Sequence, residues 1–151
     1  MLPERLAALG LTLPPVAAPV AAYVPAARHG STVRTSGQLP FVGSTLTATG
    51  KVGADVSLDE AVDAARTCIL NALAAAAEVA GGPDKITRIV HVTGFVASDP
   101  SFTAQPAVIN GASELLGELF GKAGEHTRSA VGVAVLPLDA PVEIELVCEI
   151  D

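Results

Sequence analysis

The stretch from Ser57 to Ala97 constrains the fold more than any other part of the chain. Ser57-Leu58-Asp59-Glu60 is a capping box: the serine hydroxyl accepts from the Glu60 amide, and the glutamate reaches back to the serine amide. Leu58, Val62, Ala65, Ile69, Ala72 and Leu73 follow at helical spacing, and Gly81-Gly82-Pro83 stops the run. Directly afterwards comes KITRIVHVTGFVA, Lys85 to Ala97, β-branched and apolar on both faces. Such a strand needs cover on both sides, so a long helix must lie against a sheet.

The remaining elements fit around that pair. Pro3 to Leu9 suits a short helix ending at Gly10. Val16 to Pro25 and Ser31 to Leu39 read as two strands, with Arg28-His29-Gly30 as the turn between them. Pro40 to Asp55, rich in Gly, Thr and Ser, reads as a loop. A second helix is expected from Gln105-Pro106 to Phe120, with Val108, Ile109, Ala112, Leu115, Leu116 and Leu119 as its buried stripe and Asn110, Glu114 and Gly117 on the other side. Thr127 to Asp151 reads as a closing hairpin around LPLDAP. The expected order is β-β-α-β-α-β-β: one α+β domain whose helices share one sheet face. No chain is left to cover the opposite face, which makes self-association the economical answer.

The chain has 151 residues, enough for one domain that buries about two-thirds of its unfolded surface. Half of its residues are hydrophobic but only 3% are aromatic, so the core is built from small side chains and helices can lie close to the sheet. A net charge of −7 and only nine Lys and Arg argue against a nucleic-acid backbone as partner, which needs clustered cations. Cys68 and Cys148 fall in apolar runs and read as free buried thiols. His29, His91 and His126 are far apart, and no Cys/His cluster suggests a metal. Leu11 to Ala22 is apolar, but Glu4 and Arg5 precede it and Pro14, Pro15 and Pro19 interrupt it. A cytoplasmic protein without a membrane span is therefore expected.

No nucleotide-binding glycine motif and no GxSxG elbow is present. Chemistry is sought at Arg128, the one charge in its strand, and at Glu143, the glutamate nearest the turn. A guanidinium fork holds a carboxylate by two parallel bonds, and a partly desolvated carboxylate can orient or deprotonate water. Taken as a flat hairpin, the pair stands roughly 20 Å apart at ~3.3 Å per residue. To serve one small substrate they must then come from different subunits.

Two blocks, RSAVGVAVLPLDAPVEIE from Arg128 and TSGQLP from Thr35, resemble the signature segments of the RidA/YjgF family of reactive-intermediate deaminases, formerly also called endoribonuclease L-PSP. The resemblance runs from about Val16 to the C-terminus and sets residues 1–15 apart as an N-terminal extension to a domain spanning 16–151. It implies a chorismate-mutase-like fold with a mixed sheet, assembled as a barrel-like homotrimer with pockets between subunits. It further implies hydrolysis of enamine/imine intermediates of the 2-aminoacrylate type to 2-keto acid and ammonia, without metal or cofactor. On that resemblance Arg128 binds the substrate carboxylate, Glu143 positions water, and Tyr23, Ser36, Gly37 and Asn110 line the pocket. Ala130 stands where the well-characterised deaminases usually carry cysteine, and the loop after TSGQLP is longer. A non-catalytic carboxylate-binding trimer is the alternative, with ribonuclease a third.

Overall fold

The computed structural model describes residues 1–19 and 21–151. Its elements are α1 (Leu2–Ala8), β1 (Ala26–His29), β2 (Thr32–Thr35), β3 (Phe41–Val42), β4 (Thr45–Leu46), α2 (Leu58–Ala80), β5 (Ile86–Ala97), α3 (Gln105–Phe120), β6 (Thr127–Val133) and β7 (Val142–Ile150). The main sheet runs β1-β2-β7-β5-β6. Only β5 and β6 are parallel; every other neighbouring pair is antiparallel. It is an α+β domain with a mixed sheet and a chorismate-mutase-like architecture.

The capping box forms as expected: Ser57 accepts from the Glu60 amide at 3.2 Å and Glu60 accepts from the Ser57 amide at 3.3 Å. Gly81 ends the helix in the left-handed conformation, φ 94°, where a side chain would be strained. The expected stripe is too narrow, because Asn71 to Ala77 are all buried. The small side chains allow this. A Cβ on Gly111 of α3 would come within 2.3 Å of the Val62 carbonyl oxygen on α2, and one on Gly94 of β5 within 2.4 Å of Ile109 on α3. Glycine at these positions sets the two helices close to each other and to the sheet.

On β7, Val142, Ile144, Leu146, Cys148 and Ile150 are buried under the helices, while Glu143, Glu145, Val147 and Glu149 face the other way. On β5 the open face carries the half-buried Thr93 and Phe95. The strand expected to be covered on both sides is thus covered on one side only within the chain. Arg34–Glu145 at 3.5 Å and Arg88–Glu149 at 3.2 Å pair charges on this face, with Glu145 half-buried and the two arginines exposed.

Three expectations are overturned. The strand read at Val16–Pro25 includes Val20, which lies outside the described residues; among the others no strand precedes Ala26. Arg28 and His29, expected in the turn, end β1, and the chain reverses at Gly30-Ser31 with Gly30 at φ 62°. The closing hairpin does not exist: β5 lies between β6 and β7. The link, residues 134–141, is longer than a hairpin loop needs. It crosses the end of β5, where the Ala97 amide donates to the Pro141 carbonyl at 2.9 Å. Within it Leu138 and Asp139 take positive φ of 59° and 58°.

The N-terminal segment packs Leu2 and Leu6 into the common core. Both cysteines are free and buried; burial, then the charge of Glu143, pushes the Cys68 thiol well up, and burial pushes Cys148 up to about 12. No helix is long and apolar enough to cross a membrane, among the described residues.

Candidate active site

Glu143 sits in a cleft of about 360 Å³ with Tyr23, Ser36 and Gly37. The loop that brings them together is held by its backbone. The amides of Gln38 and Ile144 exchange bonds with each other's carbonyls at 2.8 and 3.0 Å, which lays Gly37 against Glu143. A Cβ at Gly37 would lie 2.6 Å from Glu143 Oε1, so any larger residue would displace the carboxylate. Ser36 Oγ donates to the Val24 carbonyl at 2.6 Å, tying the loop to the segment that carries Tyr23. Thr35, buried, accepts from the Leu146 amide at 3.0 Å.

Asn71 anchors the far end of this loop. It is buried in α2, and its Nδ2 donates to the carbonyls of Leu39 and Phe41, both at 3.0 Å. Sequence reading missed it. The available signal was an amide beside the buried positions Ile69, Ala72 and Leu73, where an unsatisfied polar group would be costly. Partial burial raises the Glu143 carboxyl above the ordinary glutamate range, and the nearby charge of Glu145 adds to the shift. A carboxylate so raised is a stronger base once ionised.

Arg128 lies elsewhere. Its Nη1 donates to Asn110 Oδ1 at 2.8 Å and to Ser113 Oγ at 3.2 Å, and its Nη2 to the Pro106 carbonyl at 3.4 Å. All three acceptors are neutral and belong to α3. Among the described residues no carboxylate pairs with Arg128, and Nε carries no bond, leaving the Nε edge of the fork for an anion.

Ser113, one turn beyond Asn110, was also missed. It meets His126 Nε2 at 2.9 Å, while His126 Nδ1 lies 2.6 Å from the Gly124 carbonyl. The carbonyl can only accept, so Nδ1 carries hydrogen; in the neutral ring Nε2 accepts from Ser113, whose oxygen accepts from Arg128. Ser113, His126 and Arg128 border a second cleft with Gly117, Gly121, Gly124 and Glu125. Ala130 pairs with Gly94 and packs against the core, and it borders neither cleft.

The two halves occupy opposite faces of one sheet. Arg128 pairs with Val92 and Glu143 with Phe95, three residues further along β5. Side chains alternate with period two, so an odd offset puts them on opposite sides; the offset is about 10 Å along the strands and about 10 Å across two strand spacings. The structure brings Tyr23, Ser36, Gly37 and Glu143 together, and separately Arg128 with Asn110. Among the described residues, no group of three or more His, Cys, Asp or Glu could hold a metal ion.

The profile of the family described as YjgF/chorismate mutase-like, putative endoribonuclease, matches residues 3–150. The chain is 41% identical to Protein TCP17 of Trypanosoma cruzi over 97% of its own length and 92% of that protein's. It superposes on Atu1372 of Agrobacterium tumefaciens, a protein of unknown function, with TM-score 0.89 and 45% identity, covering 98% of this chain and 91% of that one. The match to a putative endoribonuclease of Shewanella oneidensis has TM-score 0.93 and 36% identity, covering 98% of each. E. coli TdcF, solved with bound serine, matches at TM-score 0.61 and 30% identity over 92% of this chain and 94% of that one. With sheet order, helix placement and profile agreeing along nearly the whole chain, the protein belongs to the YjgF/RidA family.

Proposed function

We propose that the protein hydrolyses small carboxylate-bearing enamine/imine intermediates, of the 2-aminoacrylate type, to a 2-oxo acid and ammonia. One observation carries this reading: a half-buried guanidinium held by three neutral acceptors, with one edge of its fork unengaged. A cation so placed is completed by an anionic ligand, and a carboxylate matches its fork. The serine bound in TdcF supports a small carboxylate-bearing ligand for this chain.

In this reaction an enamine first takes a proton at carbon and becomes a protonated imine. Water adds to its carbon, giving one proton to Glu143 and leaving a neutral carbinolamine. Glu143 returns that proton to the nitrogen; as the C–N bond breaks, the hydroxyl proton passes to Glu143, the hydroxyl oxygen becomes the carbonyl of the 2-oxo acid, and the departing ammonia takes the proton away as ammonium. Arg128 holds the carboxylate, with Asn110 and Ser113 fixing its fork. Tyr23, Ser36 and Gly37 shape the wall beside Glu143, and the backbone at Ala130 can bond the ligand whatever its side chain.

Because Arg128 and Glu143 lie on opposite sheet faces, the complete site is assigned to a homotrimer in which one subunit supplies the arginine and the next the glutamate. A closed head-to-tail ring has this geometry. Co-expression of Arg128→Ala with Glu143→Gln tests it. Each variant alone is expected to release ammonia from freshly generated 2-aminoacrylate on the order of 100-fold more slowly than wild type. Randomly mixed trimers should regain about a quarter of wild-type activity, since that share of sites receives both intact residues. Mixed trimers as inactive as the parents would rule out shared sites.

The bound serine of TdcF also favours a second reading, a carboxylate-binding trimer without turnover. Pyruvate binding that needs Arg128, with no ammonia release from any imine, would select it. Ribonuclease activity is disfavoured by the net charge of −7.

A further inference from the structure

The Arg128 anchor has a histidine behind it that the proposed chemistry does not use. His126, half-buried, meets Ser113 Oγ through Nε2 at 2.9 Å and the Gly124 carbonyl through Nδ1 at 2.6 Å. Ser113 in turn accepts from Arg128 Nη1 at 3.2 Å. All of these groups belong to one chain, so the arrangement needs no neighbouring subunit.

The local sequence seats the ring. α3 ends at Phe120, and the short 3-10 turn Gly121–Gly124 follows it. A Cβ on Gly124 would collide with the Leu116 carbonyl oxygen, so glycine lets the turn lie directly against α3. The Gly124 carbonyl can only accept, and it takes the hydrogen on Nδ1. That fixes the tautomer: in the neutral ring, Nε2 is left as a lone pair facing Ser113.

A serine inside a helix can turn its hydroxyl back onto the carbonyl four residues earlier. Here that would withdraw the Ser113 oxygen from Arg128. The ring holds the hydroxyl hydrogen instead, and the oxygen keeps a lone pair for the guanidinium. Hydrogens then run one way, from Arg128 through Ser113 and His126 to the Gly124 carbonyl, and each bond polarises the next. Asn110 takes the other Nη1 hydrogen at 2.8 Å, so without Ser113 one of the two would lose its acceptor.

We propose that His126 is a positioning residue for the Arg128 anchor, acting through Ser113 by the lone pair on its Nε2. The proposal rests on the reading of Arg128 as a carboxylate anchor, and on this hydrogen-bond chain for its own content. In this role the ring need not touch the ligand. It holds Nη1 toward α3, so that the Nε edge of the fork stays free for an anion.

Isothermal titration of the intact protein with pyruvate reads the effect. Ser113→Ala should weaken binding on the order of tenfold, and His126→Leu on the order of threefold. His126→Asn keeps a donor for the Gly124 carbonyl but has nothing at the Nε2 position. It should fold as the wild type does and lose as much affinity as the leucine variant. His126→Gln, whose side-chain oxygen reaches the Nε2 position, should restore affinity to within about twofold. Once Ser113 is alanine, His126→Leu should add nothing, because the ring acts through that hydroxyl. In ammonia release the loss should fall on KM, with kcat moving less than about twofold. Imidazole nitrogen NMR should show the neutral His126 ring with its hydrogen on Nδ1. Wild-type affinity in both the leucine and asparagine variants, a glutamine variant as weak as leucine, or a neutral ring with its hydrogen on Nε2 overturns the proposal. Pyruvate binding that ignores His126 sinks the proposal alone. Failure of the wild type to bind pyruvate sinks the anchor reading as well.

Discussion

The Glu143 cleft and the Arg128 clamp are built by different means. The cleft is built largely on backbone bonds: the Thr35–Phe41 loop is pinned through its amides and carbonyls by Ile144, Asn71 and Pro25, and through the Thr35 and Ser36 hydroxyls by Leu146 and Val24. Glu143 there is made more basic by partial burial and by Glu145. The clamp is a side-chain construction on the edge strand β6, with three neutral acceptors from α3 around one guanidinium. The difference suits the roles proposed for them. A water-handling carboxylate needs a tuned environment, whereas a carboxylate anchor needs a fixed fork and no competing anion.

The largest effect is expected at the clamp. Removing two charge-assisted bonds at about 1.5–3 kcal/mol each, Arg128→Ala should lower kcat/KM by at least about 100-fold, with pyruvate affinity falling in parallel. Arg128→Lys should recover little, since an ammonium lacks the planar fork. A lysine variant with near-wild-type affinity would break the fork argument.

Glu143→Gln comes next, and it should separate the halves. Loss of a general base lowers kcat by about 100-fold, while the dissociation constant for pyruvate should move less than about threefold. The stability sign is also defined. Glu143 titrates higher in the folded than in the unfolded chain, so its contribution favours folding below the unfolded value and is lost as pH rises through the folded one. At pH 8 the ionised group opposes folding, and the glutamine variant should melt no lower than wild type. A clearly lower melting temperature would mean Glu143 is a structural residue.

Asn71→Leu should then damage the cleft through its frame. One buried and one part-buried carbonyl lose their donor, costing about 2 kcal/mol or more in stability. Thermal melts read the loss, and at temperatures where the variant stays folded kcat should fall while the Arg128-dependent affinity holds. The smallest effect is expected at Glu145. Its charge helps raise Glu143, so Glu145→Gln should move the acid limb of the kcat/KM profile to lower pH and leave the plateau nearly intact. An acid limb that stays put would assign the raised titration to burial alone.

Much of this was legible in the residues. The capping box and the Gly81-Gly82-Pro83 stop bound α2 as it stands, and Gln105 and Phe120 bound α3, because caps and stops act locally. Arg128 stood out because a lone charge in an apolar strand needs a reason. The closing hairpin failed because periodicity identifies strands without naming their neighbours; only the length of residues 134–141 hinted that another strand lay between. Tyr23 borders the same cleft as Ser36 although its segment is not a strand in the described residues, because the Ser36–Val24 bond joins the two segments. Asn71 and Ser113 remained hidden because a polar residue in a helix looks alike whether it faces water or a carbonyl.

By itself the sequence determined the bounds of the two long helices and the alternation of buried and outward positions along β7, since local bonding and alternation need no distant partner. Only the tertiary structure decided that β5 separates β6 from β7, and so that Arg128 and Glu143 leave the sheet on opposite sides. Strand order is set by which apolar faces fit together under α2 and α3. That fit depends on glycines such as Gly94 and Gly111, whose close contacts lie far apart in sequence.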